Sequence, residues 1–119
     1  MSAGRNAGPP APAERRSQVL KGALDLCVMA VLNERPMYGY GLVAALTERG
    51  LGLVAEGSVY PLLTRLEKRG LLRSYRAPSP GGPARKYYEL TDDGRKALTE
   101  GAAAWRSVAL DVAAVLDGV

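Results

Sequence analysis

The sequence predicts a mainly α-helical fold with a small β-hairpin wing: a winged helix-turn-helix followed by a long C-terminal helix. Three observations support this class. An apolar stripe at helical spacing is formed by Val59, Leu62, Leu63 and Leu66. Two short segments with alternating, partly basic character follow it directly, as the strands of a hairpin would. Near the chain end, apolar residues recur at the alternating spacing of four and three that is typical of paired helices.

Composition narrows the function classes. The chain has 119 residues and a formal net charge of +4, which fits one domain with a modest core and a polyanionic partner. It contains no His and only one Cys, so His-based nucleophile pairs and metal sites are unavailable, and neither an enzyme nor a cofactor is expected. With Cys27 alone and no secretory signal, we expect a cytoplasmic protein without a membrane segment.

The N-terminal third predicts an arm and two helices. Residues 1–16 are rich in Ala, Gly, Pro and Arg and predict a disordered arm. Residues 17–33 are apolar nearly all round, which predicts a helix that is covered on several sides. Pro36 ends that helix, and the segment 38–41 opens the next one, for which Gly50 is the expected stop.

The apolar stripe predicts a helix over residues 57–69, after a short extended link at 51–55. Ser58 is the expected N-cap, with Pro61 in the first turn, where its missing N–H costs nothing. Gly70 fits the position just beyond the helix end. The two helices before and after the link therefore form a helix-turn-helix pair.

A hairpin and a final helix complete the chain. Strands are expected at about 72–76 and 85–90, joined by the Pro- and Gly-rich segment 78–83, so that residues 17–90 form the winged helix-turn-helix. Thr91 caps a dimerisation helix over residues 91–119. The expected dimer seam, including two residues of the first helix, is Leu20, Leu24, Leu98, Ala102, Trp105, Ala109, Val112 and Leu116. The alternative is that this helix folds back on its own domain.

DNA binding follows from the docking geometry of a helix-turn-helix, in which the second helix enters the major groove. The start of the preceding helix would lie near the backbone, and the basic wing would hold phosphates, with Arg73 and Arg76 as further candidates. A packing role is the alternative for the two tyrosines of the preceding helix. The predicted DNA-contacting residues are Tyr38, Tyr40, Ser58, Tyr60, Pro61, Thr64, Arg65, Lys68, Arg85 and Lys86.

Five motifs in order make the chain resemble the PadR family of bacterial transcriptional regulators, in the short form with a single C-terminal helix. They are Leu20-Lys-Gly-Ala-Leu-Asp-Leu26, Tyr38-Gly-Tyr40, Gly57-Ser-Val-Tyr-Pro-Leu-Leu63, Arg65-Leu-Glu-Lys-Arg-Gly70 and Arg85-Lys-Tyr-Tyr-Glu-Leu-Thr91. The resemblance covers residues 18–117, and the main departure is the Pro- and Gly-dense wing tip. It implies a homodimeric winged-helix repressor that binds an inverted-repeat operator.

Trp105 is the sole Trp and lies in the middle of the seam between two alanines. Its position resembles that of a Trp in a multidrug-sensing family member, which implies a pocket for a small apolar or aromatic effector between subunits. The alternative is a structural anchor of the dimer, because a large aromatic residue at a seam is usually core. For the whole chain, the alternative function is a winged-helix module that binds a partner protein without sequence-specific DNA binding.

Overall fold

The computed structural model describes residues 11–119, except for the side chains of residues 13 and 53–56. Helices form the body, and a small sheet lies at one edge of it. In chain order the elements are α1 (Pro12–Leu20), α2 (Leu24–Glu34), β1 (Met37–Tyr38), α3 (Gly39–Glu48), α4 (Gly52–Lys68), β2 (Leu72–Ser79), β3 (Gly82–Leu90) and α5 (Asp92–Leu116). The mainly α class with a hairpin wing and a long C-terminal helix is thus confirmed.

The sheet is antiparallel, with the order β1-β3-β2. In the hairpin, Leu72 pairs with Leu90 and Tyr75 pairs with Tyr87, while β1 places Tyr38 opposite Tyr87 on the other edge of β3. Both hairpin strands extend further toward the tip than predicted, and the turn uses Gly81 at a φ of 68°. The pair of residues in β1 was not predicted from sequence.

The predicted stripe on α4 is the centre of the core. Val59, Leu62, Leu63 and Leu66 are each at most 4% exposed, and they pack with apolar residues of α2, α3 and both hairpin strands. Such continuous burial is what holds a small domain together, at roughly 25 cal/mol per Å² of apolar surface removed from water. Cys27 is half-buried against this core, and burial, followed by the charge of Asp25, raises the pKa of its thiol.

Helix α4 begins earlier than predicted. It starts at Gly52, after Leu51, which provides no side-chain cap, so the extended link over 51–55 was wrong. Ser58 is therefore not an N-cap, and Pro61 lies inside the helix rather than in its first turn. Because of the additional helical turn before Ser58, the residues predicted to enter the groove lie in the middle of a 17-residue helix.

The N-terminal region also differs from the prediction. One helix over 17–33 is replaced by α1 and α2, separated by Lys21, Gly22 and Ala23. The last residues of the predicted arm, from Pro12 onward, belong to α1, and residues 1–10 lie outside the described residues. The apolar periodicity of the sequence continues across the break between α1 and α2, so the pattern does not indicate where the break lies.

Two predicted helix boundaries are confirmed. Gly70 adopts a φ of 78° just beyond α4 and donates its N–H to the carbonyl of Glu67 at 3.0 Å, as left-handed residues at helix ends do. Thr91 Oγ1 accepts the N–H of Gly94 at 3.0 Å and donates to the carbonyl of Gly70 at 2.7 Å. Thr91 thereby fixes the start of α5 to the end of α4.

Helix α5 has 25 residues, and only its first half packs on the body. Leu98 packs against the core, and Gly101 faces Leu26 of α2 so closely that a Cβ there would overlap Leu26 Cδ2. Beyond this contact the large apolar side chains are open to solvent in the single chain, as Val108 and Val115 show. Among the helices of residues 11–119, none has the length and apolarity to span a membrane.

Candidate nucleic-acid interface

The side of α4 opposite the apolar stripe is its outermost face. With 3.6 residues per turn, Pro61, Thr64 and Lys68 fall on this face, and all three are exposed. The hydroxyl of Thr64 donates to the carbonyl of Tyr60 at 3.2 Å, within its own helix. This face holds three of the predicted contact residues on one exposed ridge.

One flank of α4 faces the N-terminal helices. Ser58 and Arg65 line an open groove of about 760 Å³ together with residues of α1 and the start of α2. Pro61 also lines this groove, as do the acidic residues Glu14 and Asp25 and the basic residue Lys21. The guanidinium of Arg65 therefore lies in mixed electrostatic surroundings rather than in a purely basic patch.

The other flank contacts the start of α3. The ring of Tyr60 lies against Gly39, where a Cβ would overlap the ring, so the close approach of the two helices requires glycine there. Tyr60 is about half-exposed, with a relative accessibility of 53%. Tyr60 thus connects the middle of α4 to the segment that carries Tyr38 and Tyr40.

A row of tyrosine rings extends from α3 across the outer face of the sheet. The ring centroids of Tyr40 and Tyr38 are 6.3 Å apart, those of Tyr38 and Tyr87 are 5.6 Å apart, and those of Tyr87 and Tyr75 are 5.9 Å apart. The guanidinium carbon of Arg85 lies 4.4 Å from the centroid of Tyr38, a cation–π geometry. The row joins the first helix of the helix-turn-helix to the wing.

The two basic wing residues have different surroundings. Lys86 lies on the inner side of the hairpin, where its Nζ is 3.8 Å from the carboxylate of Glu67 and 5.4 Å from the ring centroid of Tyr88. Glu67 also accepts the hydroxyl of Ser74 at 2.5 Å. Glu67 thereby ties the end of α4 to both hairpin strands, and it partly neutralises Lys86.

Arg73 forms an ion pair within its own sheet. Its Nε lies 2.7 Å from Glu89 directly across the hairpin, and this hydrogen bond and charge raise the pKa of the guanidinium above its ordinary value. A cation already paired in this way is a weaker phosphate ligand than one that is not. Arg76 lies nearer the tip of the wing and is exposed.

Sequence reasoning missed Glu67, Tyr75 and Tyr87 as parts of this surface. The signal was available for the two tyrosines, since an antiparallel hairpin with its turn near Gly81 places them opposite each other. No such signal exists for Glu67, because its partners come from strands whose position relative to α4 is set by the tertiary fold.

The predicted seam divides into covered and uncovered residues. Leu24 is only 6% exposed in its own core, so little of it is left for a partner, and Leu98 also packs against that core. Leu20 is half-buried. The later seam residues are less covered: Ala102 and Ala109 are half-buried, while Trp105, Val112 and Leu116 are about 50–58% exposed.

The helix pair α3–α4, with a basic hairpin beside it, defines a winged helix-turn-helix DNA-binding protein. The chain belongs to the family of PadR-like transcriptional regulators, whose family model matches residues 28–100. Because the members of this family are transcriptional regulators, the chain is not an enzyme. The resemblance to the PadR family found in the sequence is confirmed.

Individual relatives agree. The chain is 35% identical over 92 residues to the transcriptional regulator Rv3488 of Mycobacterium tuberculosis, across 77% of this chain and 84% of that protein. It superposes on a PadR-like regulator of Bacillus cereus with a TM-score of 0.75 and 39% identity, over 86% of this chain and 99% of that one. A PadR family regulator of Eggerthella lenta gives a TM-score of 0.79 and 36% identity, over 90% and 93% of the two chains.

Proposed function

We propose that this protein is a homodimeric transcriptional repressor that binds an inverted-repeat operator in the cytoplasm, where the DNA lies. One observation carries the proposal: α4, α3 and the wing form one continuous surface. The contact of Tyr60 with Gly39 connects α4 to α3, and the contact of Arg85 with Tyr38 connects the wing to the start of α3. Such a surface can place α4 in the major groove while the wing reaches the flanking backbone. The net charge of +4 favours a polyanionic partner.

Homodimerisation is supported by the second half of α5. Apolar residues there recur at heptad-type spacing, and the large ones remain exposed in the single chain. This pattern is typical of a helix that packs against a helix of another molecule. A dimer with two-fold symmetry presents two α4 helices at a fixed separation, and such a pair selects a palindrome better than either helix alone.

The test is DNA binding with the wing altered. We expect the purified protein to enrich an inverted-repeat sequence from random duplexes, with an affinity that falls as salt rises. Removing both basic wing residues, Arg85→Ala with Lys86→Ala, should weaken binding to all sequences. The slope of log affinity against log salt concentration should become less steep by roughly one to two, because each lost phosphate contact removes about one. Fluorescence anisotropy at several salt concentrations measures this.

A matched control removes another adjacent basic pair, Arg95→Ala with Lys96→Ala, at the start of α5. This variant loses the same net charge, so it shares any non-specific effect of charge. Its salt slope should stay closer to that of the unchanged protein. Equal slopes for the two double variants would remove the wing from the phosphate contacts, and failure to enrich any sequence would refute the proposed function.

The alternative function, a module that binds a partner protein, predicts complexes that form without DNA and are insensitive to salt. The continuity of the basic wing with α3 and α4 favours DNA over a partner protein.

We also propose that a small apolar or aromatic effector binds near Trp105 and releases the repressor from DNA. Trp105 is 50% exposed in the single chain. Saturable quenching of its fluorescence by a planar cationic dye would support such a pocket, whereas an unchanged signal would leave Trp105 as a dimer anchor only.

A further inference from the structure

The outermost ridge of α4 has an unusual chemistry for reading bases. Opposite the apolar stripe the chain presents Gly57, Pro61, Thr64 and Lys68, all exposed. Bidentate readout uses Arg or Lys for guanine and Asn or Gln for adenine. Of these residue types the ridge has only Lys68, which lies in the last turn, away from the N-terminal part of the helix that comes nearest the bases. Gly57 has no side chain, and Pro61 carries only a hydrocarbon ring.

Thr64 is the one side chain of this ridge that combines a polar and an apolar group near its middle. Its hydroxyl proton is used within the helix, in the bond to the carbonyl of Tyr60. The methyl group has no such commitment. Pro61, one helical turn earlier, adds a second small apolar group to the same exposed ridge.

The major groove offers one apolar group to such a patch, the 5-methyl of thymine. We propose that Thr64, supported by Pro61, determines operator specificity by packing against a thymine methyl in each half-site. This inference rests on the proposed function, because it presumes that α4 enters the groove. It goes beyond that function by naming both the reading group and the atom that is read.

Arg65 does not offer an equal route from this ridge. It lies on the flank of α4 and lines the groove shared with α1, where the carboxylates of Glu14 and Asp25 are also found. The side chain of Arg65 thus starts from the flank of the helix rather than from its most protruding face. The structure therefore favours methyl recognition over guanine readout at the centre of the ridge.

The experiment replaces thymine by deoxyuridine, which removes the methyl and leaves base pairing unchanged. A duplex enriched by the protein from a random library is synthesised with each half-site thymine replaced in turn. Burying one methyl contributes a free energy that corresponds to roughly a fourfold change in affinity, so one or two positions should lose about fourfold per half-site. The remaining positions should change little.

Two variants of one side chain assign the effect. Thr64→Val keeps a methyl at the same branch and removes the hydroxyl, whereas Thr64→Ser keeps the hydroxyl and removes the methyl. We expect the ratio of thymine to deoxyuridine affinity to persist in Thr64→Val and to fall toward one in Thr64→Ser. Both changes are at an exposed helix position, and thermal unfolding measured beside the binding assay shows whether the fold is retained.

Each outcome decides the matter. A deoxyuridine penalty that is present in the unchanged protein and Thr64→Val but absent in Thr64→Ser supports the inference. Tight operator binding with no penalty at any position overturns it while leaving the proposed function intact. An equal penalty in all three proteins also overturns it, since another residue would then read the methyl. If no sequence is enriched, the proposed function and this inference fail together.

Discussion

The winged-helix body and the second half of α5 bury their apolar residues in different ways. In the body, Val28, Leu42 and Leu63 are completely inaccessible to solvent. In α5 beyond Gly101, by contrast, the seam residues Trp105 and Leu116 are 50% and 58% exposed. The body therefore completes its core within one chain. The end of α5 has an apolar face, but no other part of residues 11–119 covers that face. Under the proposed function, DNA readout and assembly would therefore lie in separate regions that can be altered separately.

The largest expected effect comes from opening the closed core. Leu63→Ala removes a fully buried side chain at the centre of α4 and should lower the free energy of unfolding by about 2–5 kcal/mol. Leu110→Ala removes the same side chain from an exposed position and should change it by less than about 0.5 kcal/mol. Urea unfolding at equal protein concentration measures both. Similar losses in the two variants would mean that the contrast between body and α5 is wrong.

Next in size is the effect of a charge in the seam. Val112→Asp would place an unpaired carboxylate in the proposed interface and should weaken dimerisation by at least about a hundredfold. Leu110→Asp adds the same charge two residues away, off the heptad-type spacing, and serves as the control. Sedimentation equilibrium gives the mass, and circular dichroism should show that helix content is kept. Identical masses for the two variants would contradict the seam.

The smallest expected effect concerns the body's surface. Tyr38→Ala removes the ring beneath Arg85 and should weaken operator binding by roughly two- to fivefold, the value of an exposed cation–π contact. Tyr38→Phe keeps the ring and should lose less than about twofold. Anisotropy titrations compare the two, with the oligomeric mass unchanged in both. If Phe lost as much as Ala, the phenol hydroxyl rather than the stacked ring would be the important group.

Local and periodic features of the fold could be predicted from the sequence. The stripe on α4, the left-handed Gly70 and the cap at Thr91 depend on neighbours within a few residues, and all three are confirmed. The class and the family were also predicted correctly. The start of α4 could not be found, because Pro61 fits a first turn and no capping side chain marks Gly52.

Features that depend on distant partners were out of reach. Strand β1 has two residues, too few for any alternation, and it exists because Met37 pairs with Tyr88 far along the chain. In the candidate site, the positions of Arg85 over Tyr38 and of Lys86 beside Glu67 depend on the same tertiary register.

Gly101 gives the molecule a mechanical property. Helix α5 contacts Leu26 at Gly101, one of the two glycines of this helix, and from there it runs on to Leu116 over a distance of roughly 22 Å. A tilt of about 10° at that fulcrum would move the far end by about 4 Å, which exceeds the rise of one base pair along the duplex axis, about 3.4 Å. In the proposed dimer, the packing at Gly101 would therefore influence how many base pairs separate the two half-sites.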